Sequence, residues 1–298
     1  MSRLRIGTRG SALARWQAEH VKGLLAARGH DVELRVITTT GDLLLDRRLE
    51  SVGGKGAFLK EIEEALLAGE VDLAVHSLKD VPTALPEGLE LCAVLERADP
   101  RDAVLSSGPR LLDLPPGATV GTTSLRRQAQ LRALRADLVL ADLRGNVDTR
   151  IRRLREGRFD AILLAMAGLE RLGRANEVTE VLDPRRFVPA PGQGAIALEC
   201  RAVDTPVRRA LTPLDHASTA RAVTAERAFL AALGGGCNVP LGAHAFPVDG
   251  GLDLVAFVAE ADGPALVRGE RTGSDPEEVG RALADDLLSR GAHALLGR

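Results

Sequence analysis

The sequence predicts an α/β protein with two similar sheet domains and a small C-terminal α+β domain. Three observations support this fold class. Short apolar runs alternate with amphipathic helical segments in the first half, and a second block starting near residue 119 repeats that alternation. From residue 215 onward the pattern changes to one long helix, three strand-like runs and a final helix. Alternating strands and helices favour mostly parallel sheets, whereas the last part is typical of a separate α+β unit.

The first block begins with a strand at residues 4–8, and Ser11 then caps a helix that Gly29 closes. A strand follows at residues 32–38, where apolar and polar residues alternate. A glycine-rich loop at residues 51–56 precedes an amphipathic helix at 58–68, and the next strand covers residues 72–76.

The second block has strands at residues 119–122, 138–143 and 161–165, with helices that begin after Ser124 and Asn146. Both blocks share a local signature, since residues 6–11 and 120–124 each read as strand, Gly-Thr, hydroxyl cap and helix. This likeness predicts two similar α/β domains.

Breaks in the pattern are expected at residues 97–102 and at the Pro- and Gly-containing stretch 188–194. The strand-like run 195–201 is expected to return to the first sheet, which gives a double crossover. We therefore predict a first domain at 1–98 plus 195–214, a second at 99–194 and a C-terminal domain at 215–298.

Composition excludes several classes of protein. No run of about 18 apolar residues is present, so no membrane span is expected. The N-terminus lacks the apolar region of a secretory signal, which predicts a cytoplasmic location. The net charge is −2 and aromatic residues make up 2%, so a nucleic-acid partner is not expected. Of 39 basic residues only Lys22, Lys55, Lys60 and Lys79 are lysines, and the rest are arginines suited to bidentate carboxylate binding.

The three cysteines are far apart and form no C-x-x-C, so we expect neither a disulfide framework nor a zinc site. The six histidines form no ligand-spaced cluster, and no metal is expected. Cys92 and Cys200 are expected in apolar strands, where cysteine is usually a small buried hydrophobe. Cys237 follows three glycines, and an accessible thiol there favours a nucleophilic or ligand-carrying role.

Strand-to-helix turns rich in arginine supply candidate anion sites. Backbone N–H groups at a helix start, a hydroxyl cap and an arginine together favour a bound anion. A single turn of this kind is more often only a cap with surface charge, but three at the carboxyl ends of strands indicate a ligand site. The candidate residues are Arg9, Ser11, Thr122, Ser124, Arg126, Arg127, Arg144 and Arg150.

Asp80 is the candidate catalytic carboxylate. The apolar strand before it turns polar at Ser77, and Lys79 and Asp80 are expected at the same edge of the sheet. A carboxylate among cations could stabilise a positively charged intermediate or handle a proton. A purely structural Lys-Asp turn is the alternative for this segment alone.

In order and over nearly its whole length, the chain resembles the porphobilinogen deaminase family. The matching stretches are residues 8–11 with 16–17, 53–56, 76–82, 97–102, 124–127, 143–147, 192–194, 226–227 and 235–237.

The resemblance implies a dipyrromethane cofactor held by a thioether to Cys237. It implies that four porphobilinogen molecules are joined head to tail with loss of ammonia, and that hydrolysis then releases hydroxymethylbilane. Asp80 matches the key aspartate of the family. The resemblance also implies further residues that bind cofactor or substrate, which are Lys55, Ser77, Lys79, Arg171 and Gln193. It suggests that the protein is a monomer.

The resemblance also implies a lid at residues 40–58, which would contain Asp46 and Phe58. Ala57 and Thr123 depart from the residues usual in the family, without altering a charged group.

Two other functions fit part of the pattern. A periplasmic-binding-protein-like pair of α/β domains with a double crossover also describes proteins that capture a small anion without chemistry. Cys237 and Asp80 argue against that function, because a protein that only binds an anion needs neither residue. A nucleic-acid binder that uses the arginines fits less well, for the reasons of charge and composition given above.

Overall fold

The computed structural model describes residues 3–43, 59–234 and 239–296. Its strands are β1 (Leu4–Thr8), β2 (Val32–Val36), β3 (Leu73–Ser77), β4 (Leu89–Val94), β5 (Asp102–Ser106), β6 (Thr119–Gly121), β7 (Val139–Ala141), β8 (Ala161–Ala165), β9 (Glu180–Val181), β10 (Ile196–Arg201), β11 (Leu241–Val248), β12 (Gly251–Ala259) and β13 (Leu266–Gly273). Its helices are α1 (Ala12–Ala26), α2 (Thr40–Leu43), α3 (Lys60–Leu67), α4 (Leu125–Leu134), α5 (Val147–Arg155), α6 (Met166–Arg171), α7 (Thr205–Leu211), α8 (Ala217–Ala232), α9 (Pro276–Leu287) and α10 (His293–Leu295). Among these helices none is long and apolar enough to cross a membrane.

The chain divides into two compact units. The first comprises Met1–Ala98 and Gly194–Ala220, and the second comprises Asp99–Gln193 and Arg221–Arg298. The backbone thus leaves the first unit near residue 98 and returns near residue 194, close to both predicted breaks. The division into three domains with the boundaries given above stays a prediction.

The sheet of the first unit has the order β2-β1-β3-β10-β4. β1 runs parallel to β2 and β3, whereas β10 runs antiparallel to β3 and β4. The predicted strand 195–201 therefore does return to the first sheet, where it separates β3 from β4.

Helices cover both faces of this sheet. On one face α1 and α7 pack against the strands around Ile6, Leu73 and Leu198. On the other, Ile62 and Leu66 of α3 pack against Ala74 and neighbouring residues. Burial on both faces explains the continuous apolar runs that the sequence shows in β3 and β10.

In the second unit, the sheet β7-β6-β8-β5-β9 repeats this arrangement. β6 is parallel to β7 and β8, and β5 is antiparallel to β8 and β9. The same spatial order and the same antiparallel insertion confirm the prediction of two similar α/β domains.

The third sheet is the antiparallel meander β11-β12-β13. Phe229 of α8 and Leu283 of α9 belong to one core with Leu254 of β12. This small layer of sheet and helix confirms the predicted C-terminal α+β part of the fold.

The structure corrects the expectation for two of the cysteines. Cys92 of β4 and Cys200 of β10 are joined by a disulfide bond, although neither a disulfide nor any pairing was expected from their spacing. Strand pairing brings them together across a sequence separation of 108 residues.

Candidate active site

Asp80 lies in a short 3₁₀ turn directly after β3. The turn is held by backbone bonds, because Leu78 N donates to Ala195 O at 3.0 Å and Val81 N donates to Leu78 O at 3.1 Å. Asp80 is half-buried, as is Lys79 before it. The backbone of this turn therefore has a fixed place at the carboxyl end of β3.

Ser77, the last residue of β3, is held by a hydrogen bond from α1. Its Oγ accepts a hydrogen bond of 2.8 Å from Gln17 Nε2, and Gln17 is buried. Ser77 was predicted to contact a ligand, and in this structure its hydroxyl fixes the end of the strand that carries Asp80.

Arg9 and Ser11 occupy the turn between β1 and α1. Ser11 is the predicted cap, since its Oγ accepts from Ala14 N at 3.3 Å. β1 and β3 are parallel neighbours, with Ile6 opposite Leu73, so their carboxyl ends meet at one edge of the sheet. Arg9 and Asp80 are therefore placed at the same edge of the first unit.

The matching turn of the second unit joins β6 to α4. Ser124 caps α4, and its own backbone N–H donates to Thr122 Oγ1 at 3.2 Å. Thr122 is buried, while Ser124 is half-buried. This turn has the same parts as the first, as its sequence signature predicted.

Arg126 and Arg127 form a buried cluster with Asp102, the first residue of β5. Arg126 donates to Asp102 Oδ2 at 2.6 Å and to Oδ1 at 3.1 Å, and Arg127 donates to Oδ1 at 2.7 and 3.0 Å. Both arginines are 6% exposed and Asp102 is fully buried. Arg126 also donates to Val188 O at 2.7 Å and Arg127 to Leu163 O at 2.8 Å. The predicted anion-binding arginines thus have an internal partner.

The pKa of Asp102 reflects these contacts. Burial by itself would raise the pKa, but the charges and hydrogen bonds of Arg126 and Arg127 outweigh burial and hold it well below its ordinary value of 3.8. Burial also lowers the pKa of Arg127, against the opposing charge of Asp102. Asp102 is therefore an ionised structural carboxylate at neutral pH.

Gln193 joins the same cluster. Its Nε2 donates to Pro100 O at 2.7 Å and to Asp102 Oδ1 at 3.1 Å. Sequence reasoning missed the part played by Asp102, which was placed at the end of a break. A separation of 24 residues from Arg126 carries no periodic signal, so only tertiary structure reveals this pairing.

Arg144 and Arg150 flank the turn from β7 to α5. Asn146 caps α5, as predicted, by accepting from Thr149 N at 2.9 Å. Gly145 has a φ of +100°, and Arg150 Nε donates to its carbonyl oxygen at 2.7 Å. Arg144 lies 3.5 Å from Asp142 Oδ2 and is about one quarter exposed. Arg144 therefore lies in the turn itself, and Arg150 contacts the turn from α5.

Arg171 ends α6, after β8. Burial lowers its pKa to about 10, although the nearby charge of Glu170 partly offsets burial. It remains protonated at neutral pH. A perturbed pKa makes Arg171 a candidate for a functional site, and structural ion-pair networks produce the same effect.

Four predicted residues lie outside the described residues. These are Cys237, Lys55, Asp46 and Phe58. Within the described ranges one group, Glu90, Cys92 and Cys200, brings together atoms that could hold a metal ion. Both of its sulfur atoms are engaged in the disulfide bond.

The arrangement in each unit suits an acidic ligand. Capped helix starts and guanidinium groups stand at the carboxyl ends of parallel strands, where open α/β sheets bind ligands. In the first unit that edge also carries Asp80. Such a set can hold several carboxylates and place one fixed negative charge beside a developing cation.

Comparison with known proteins agrees with this chemistry. Residues 4–209 match the family model described as porphobilinogen deaminase, dipyromethane cofactor binding domain, and residues 220–289 match the porphobilinogen deaminase C-terminal domain. The chain is 54% identical to the porphobilinogen deaminase of Syntrophobacter fumaroxidans, over 98% of this chain and 96% of that protein. It is 52% identical to that of Thiobacillus denitrificans, over 99% of this chain and 98% of that protein.

Solved structures show weaker likenesses. The methionine-binding protein MetQ is 14% identical, with a TM-score of 0.45 and coverage of 71% of this chain and 89% of that one. The periplasmic VFT2 domain of Bordetella pertussis BvgS is 16% identical, with a TM-score of 0.43 and coverage of 70% and 85%. From the two family models, which together span nearly the whole chain, and from relatives above 50% identity, the chain belongs to the porphobilinogen deaminase family.

Proposed function

We propose that this chain is a transferase that joins four porphobilinogen molecules head to tail, with loss of ammonia, onto a covalently bound dipyrromethane and releases hydroxymethylbilane by hydrolysis. The match of both family models along the chain carries the proposal. The geometry supports it, because Asp80 shares a sheet edge with the capped, arginine-bearing turn at Arg9.

The cations account for recognition of the substrate. Porphobilinogen is a dicarboxylate, so a chain of linked pyrroles gains two negative charges with every addition. Arg9, Lys79 and Arg144 follow strands closely and Arg150 lies in the first turn of α5, and their guanidinium and ammonium groups can bind those carboxylates. Ser11, Thr122 and Ser124 add hydroxyl groups beside backbone N–H donors. Lys55 is proposed for the same role from the family resemblance.

Arg126 and Arg127 have a double role in this proposal. Of the five N–H groups on each guanidinium, three donate to Asp102 and to backbone carbonyls. We infer that the other two on each contribute to carboxylate binding, while Asp102 and Gln193 fix the direction of the fork. Arg171 contributes a further charge from α6.

Asp80 is proposed as the catalytic residue. Loss of ammonia from porphobilinogen leaves positive charge on the pyrrole, and a fixed carboxylate close to the pyrrole nitrogen stabilises that charge as it develops. The same carboxylate can accept the proton that leaves when the ring regains aromaticity. The backbone bonds at Leu78 and the Gln17–Ser77 contact hold its turn in place, so little reorganisation is needed.

The chemistry of the donor set fits a dipyrromethane, which is acidic and would be held by the same guanidinium and hydroxyl groups. When bound, it supplies the pyrrole carbon to which the first porphobilinogen is joined. We propose that Cys237 holds it through a thioether, that Asp46 and Phe58 belong to a lid, and that the enzyme is a cytoplasmic monomer without a nucleic-acid or membrane partner. The alternative of a solute-binding protein without chemistry is not favoured, since the close relatives are deaminases.

The mass of the intact protein tests this function. Purified active enzyme should be heavier than its polypeptide by one dipyrromethane, and the adduct should map to the peptide that contains Cys237. Cys237→Ser should remove both the added mass and the turnover, whereas Cys92→Ser should retain both. An active enzyme with the mass of the bare polypeptide would overturn the proposal.

A further inference from the structure

The disulfide joins β4 and β10 at an irregular point of their pairing. Leu198 pairs with Ala93, but the next residue of β10, Glu199, pairs with Leu91, so Cys92 is the extra residue of a β-bulge. Cys200 pairs with Glu90. The bulge places the side chain of Cys92 beside that of Cys200, on the neighbouring strand.

The two sulfur-bearing residues have different surroundings. Cys200 is fully buried in the core formed with Leu73, Leu198 and Val207. Cys92 is half-buried and lines a surface depression of about 300 Å³. Of the two cysteines, Cys92 is therefore the one that a small molecule can reach from solvent.

The depression is lined by polar and charged groups of α7. Thr205, Arg208 and Arg209 contribute to its wall, and all three are exposed. The charged groups that face Cys92 are Glu90, Arg208 and Arg209, and Glu90 forms an ion pair with Arg208. Arg209 has no ion pair within the described ranges, so the wall offers a guanidinium to an incoming anion.

Cys92 can also exist as a thiol without loss of partners. Its Sγ lies 3.7 Å from Glu90 O and 3.8 Å from Glu90 Oε1, and both atoms can accept a hydrogen bond from S–H. Cys200 as a thiol would remain a small buried hydrophobe. The surroundings of Cys92 and Cys200 therefore suit both the disulfide and the pair of free thiols.

We propose that Cys92 and Cys200 form a redox-active pair that exchanges with low-molecular-weight thiols and disulfides carrying carboxylates. Cys92 is the exchanging sulfur, Cys200 is the resolving sulfur, and Arg209 attracts the carboxylates of the small molecule. For the cytoplasmic location proposed above, disulfides are uncommon and are usually transient or redox-sensing, and the depression beside Cys92 gives this one a point of attack.

The exchange balances as two displacements. The Cys92 thiolate attacks one sulfur of a small disulfide RSSR, an RS⁻ leaves and takes up a proton, and a mixed disulfide forms on Cys92. The thiol of Cys200 then loses its proton and attacks Cys92 Sγ, which expels the second RS⁻ and forms the Cys92–Cys200 bond. In sum, two protein thiols are oxidised and one small disulfide is reduced to two thiols. Reduction by an excess of the small thiol follows the same steps in reverse.

Glutathione disulfide is a suitable probe because it carries carboxylates. The full-length enzyme, reduced with dithiothreitol and desalted, is mixed with glutathione disulfide, quenched with acid at intervals and mapped by peptide mass spectrometry. We expect a transient glutathione adduct on Cys92 that gives way to the Cys92–Cys200 disulfide. Cys200→Ala should accumulate the adduct on Cys92, and Cys92→Ser should show none on Cys200. The peptide that contains Cys237 is mapped separately.

Charge selection distinguishes a built site from general thiol reactivity. Arg209→Gln should slow the reaction with glutathione disulfide about two- to fivefold, as expected for one surface charge contact, and high salt should abolish the difference. With cystamine, which is cationic, the same variant should react no more slowly than the parent. An adduct on Cys200 in Cys92→Ser, the same change of rate (or none) for both probes when Arg209→Gln is compared with the parent, or no reaction of reduced parent protein would each overturn the proposal.

Discussion

At the scale of single residues, the carboxylates of this chain divide by what surrounds them. Asp102 is fully buried and its oxygens are taken by two arginines, so it serves the structure. Asp80 is half-buried at the carboxyl end of β3, in a turn whose backbone is fixed. The same chemical group thus has a structural position in one unit and a position suited to catalysis in the other.

Asp80→Asn should fold normally and lose turnover by about 10²–10³-fold, because it removes the fixed negative charge that we propose stabilises a developing cation. Steady-state formation of hydroxymethylbilane measures the loss, and the unfolding midpoint in urea checks the fold. Asp31→Asn, an exposed change in the same unit, is the matched control and should retain parent turnover. Near-parent turnover of Asp80→Asn would remove Asp80 from catalysis.

Some features of the candidate site could be predicted from the sequence, and others could not. Ser11, Ser124 and Asn146 could be predicted as helix caps, since a hydroxyl or amide before an amphipathic run has a local cause. The pairing of Arg126 and Arg127 with Asp102 could not, because a contact between a helix and a distant strand leaves no mark in the spacing. The Cys92–Cys200 bond was missed for the same reason.

At the scale of elements, the first turn of α4 is fixed to β5 by a buried charge cluster. Two guanidinium groups share one carboxylate that has no contact with solvent. Removal of one partner from such a cluster leaves buried charge without compensation, which costs more than the pair itself contributes.

Asp102→Asn should therefore lower the free energy of unfolding by about 3–5 kcal/mol at pH 7. Asp102 has a pKa in the folded chain below its ordinary value of 3.8, so its stabilising effect is present above that value. The effect is lost as the pH falls further, through the lower folded-state pKa. Urea unfolding of both proteins should show a difference that is constant near neutrality and shrinks below about pH 4.

The pair formed by half-buried Arg135 and exposed Asp137 provides a control for that variant. Asp137→Asn removes a carboxylate that also binds an arginine, but near solvent. It should change the unfolding midpoint little at any pH. An equal loss in both variants would show that burial of the Asp102 cluster is not what matters.

The turn between β7 and α5 contains a position whose backbone conformation favours glycine. Gly145 has a φ of +100°, and a Cβ there would lie 2.8 Å from Thr149 Cγ2. Gly145→Ala should cost at least about 1–2 kcal/mol in unfolding free energy, and it should raise the KM for porphobilinogen because Arg144 and Arg150 flank it. Gly157→Ala, also at positive φ but with no described atom within 4 Å of the added Cβ, should cost less and leave KM unchanged.

Regular elements were predicted where local pattern and burial agree. The bounds of β1 and β8 match the apolar runs residue for residue. An apolar strand at Cys92, here β4, was predicted without bounds, and β5 was not predicted, because it adjoins a stretch whose charges and proline indicate a break. Their place is set by pairing with β10 and β8, which come much later in the chain.

At the scale of the whole molecule, the disulfide closes a loop that contains the segment Asp99–Gln193 of the second unit. A crosslink across so many residues restricts the unfolded chain strongly. Oxidised protein should therefore exceed reduced protein in unfolding free energy by about 2–4 kcal/mol.

Denaturation in urea with and without a reductant measures this difference. Cys92→Ser should show no such dependence on the reductant and serves as the control. Equal stability of the oxidised and reduced parent protein would contradict the expectation.

The insertion of β10 between β3 and β4 has a consequence for synthesis on the ribosome. The chain emerges from its N-terminus, so β1 to β4 are made long before residues 196–201 appear. Until then β3 and β4 lack the strand that lies between them. All strands of the second sheet, β5 to β9, are made before β10 emerges. The segment in the middle of the chain can therefore complete its sheet first, and the N-terminal segment must wait with unpaired strand edges exposed.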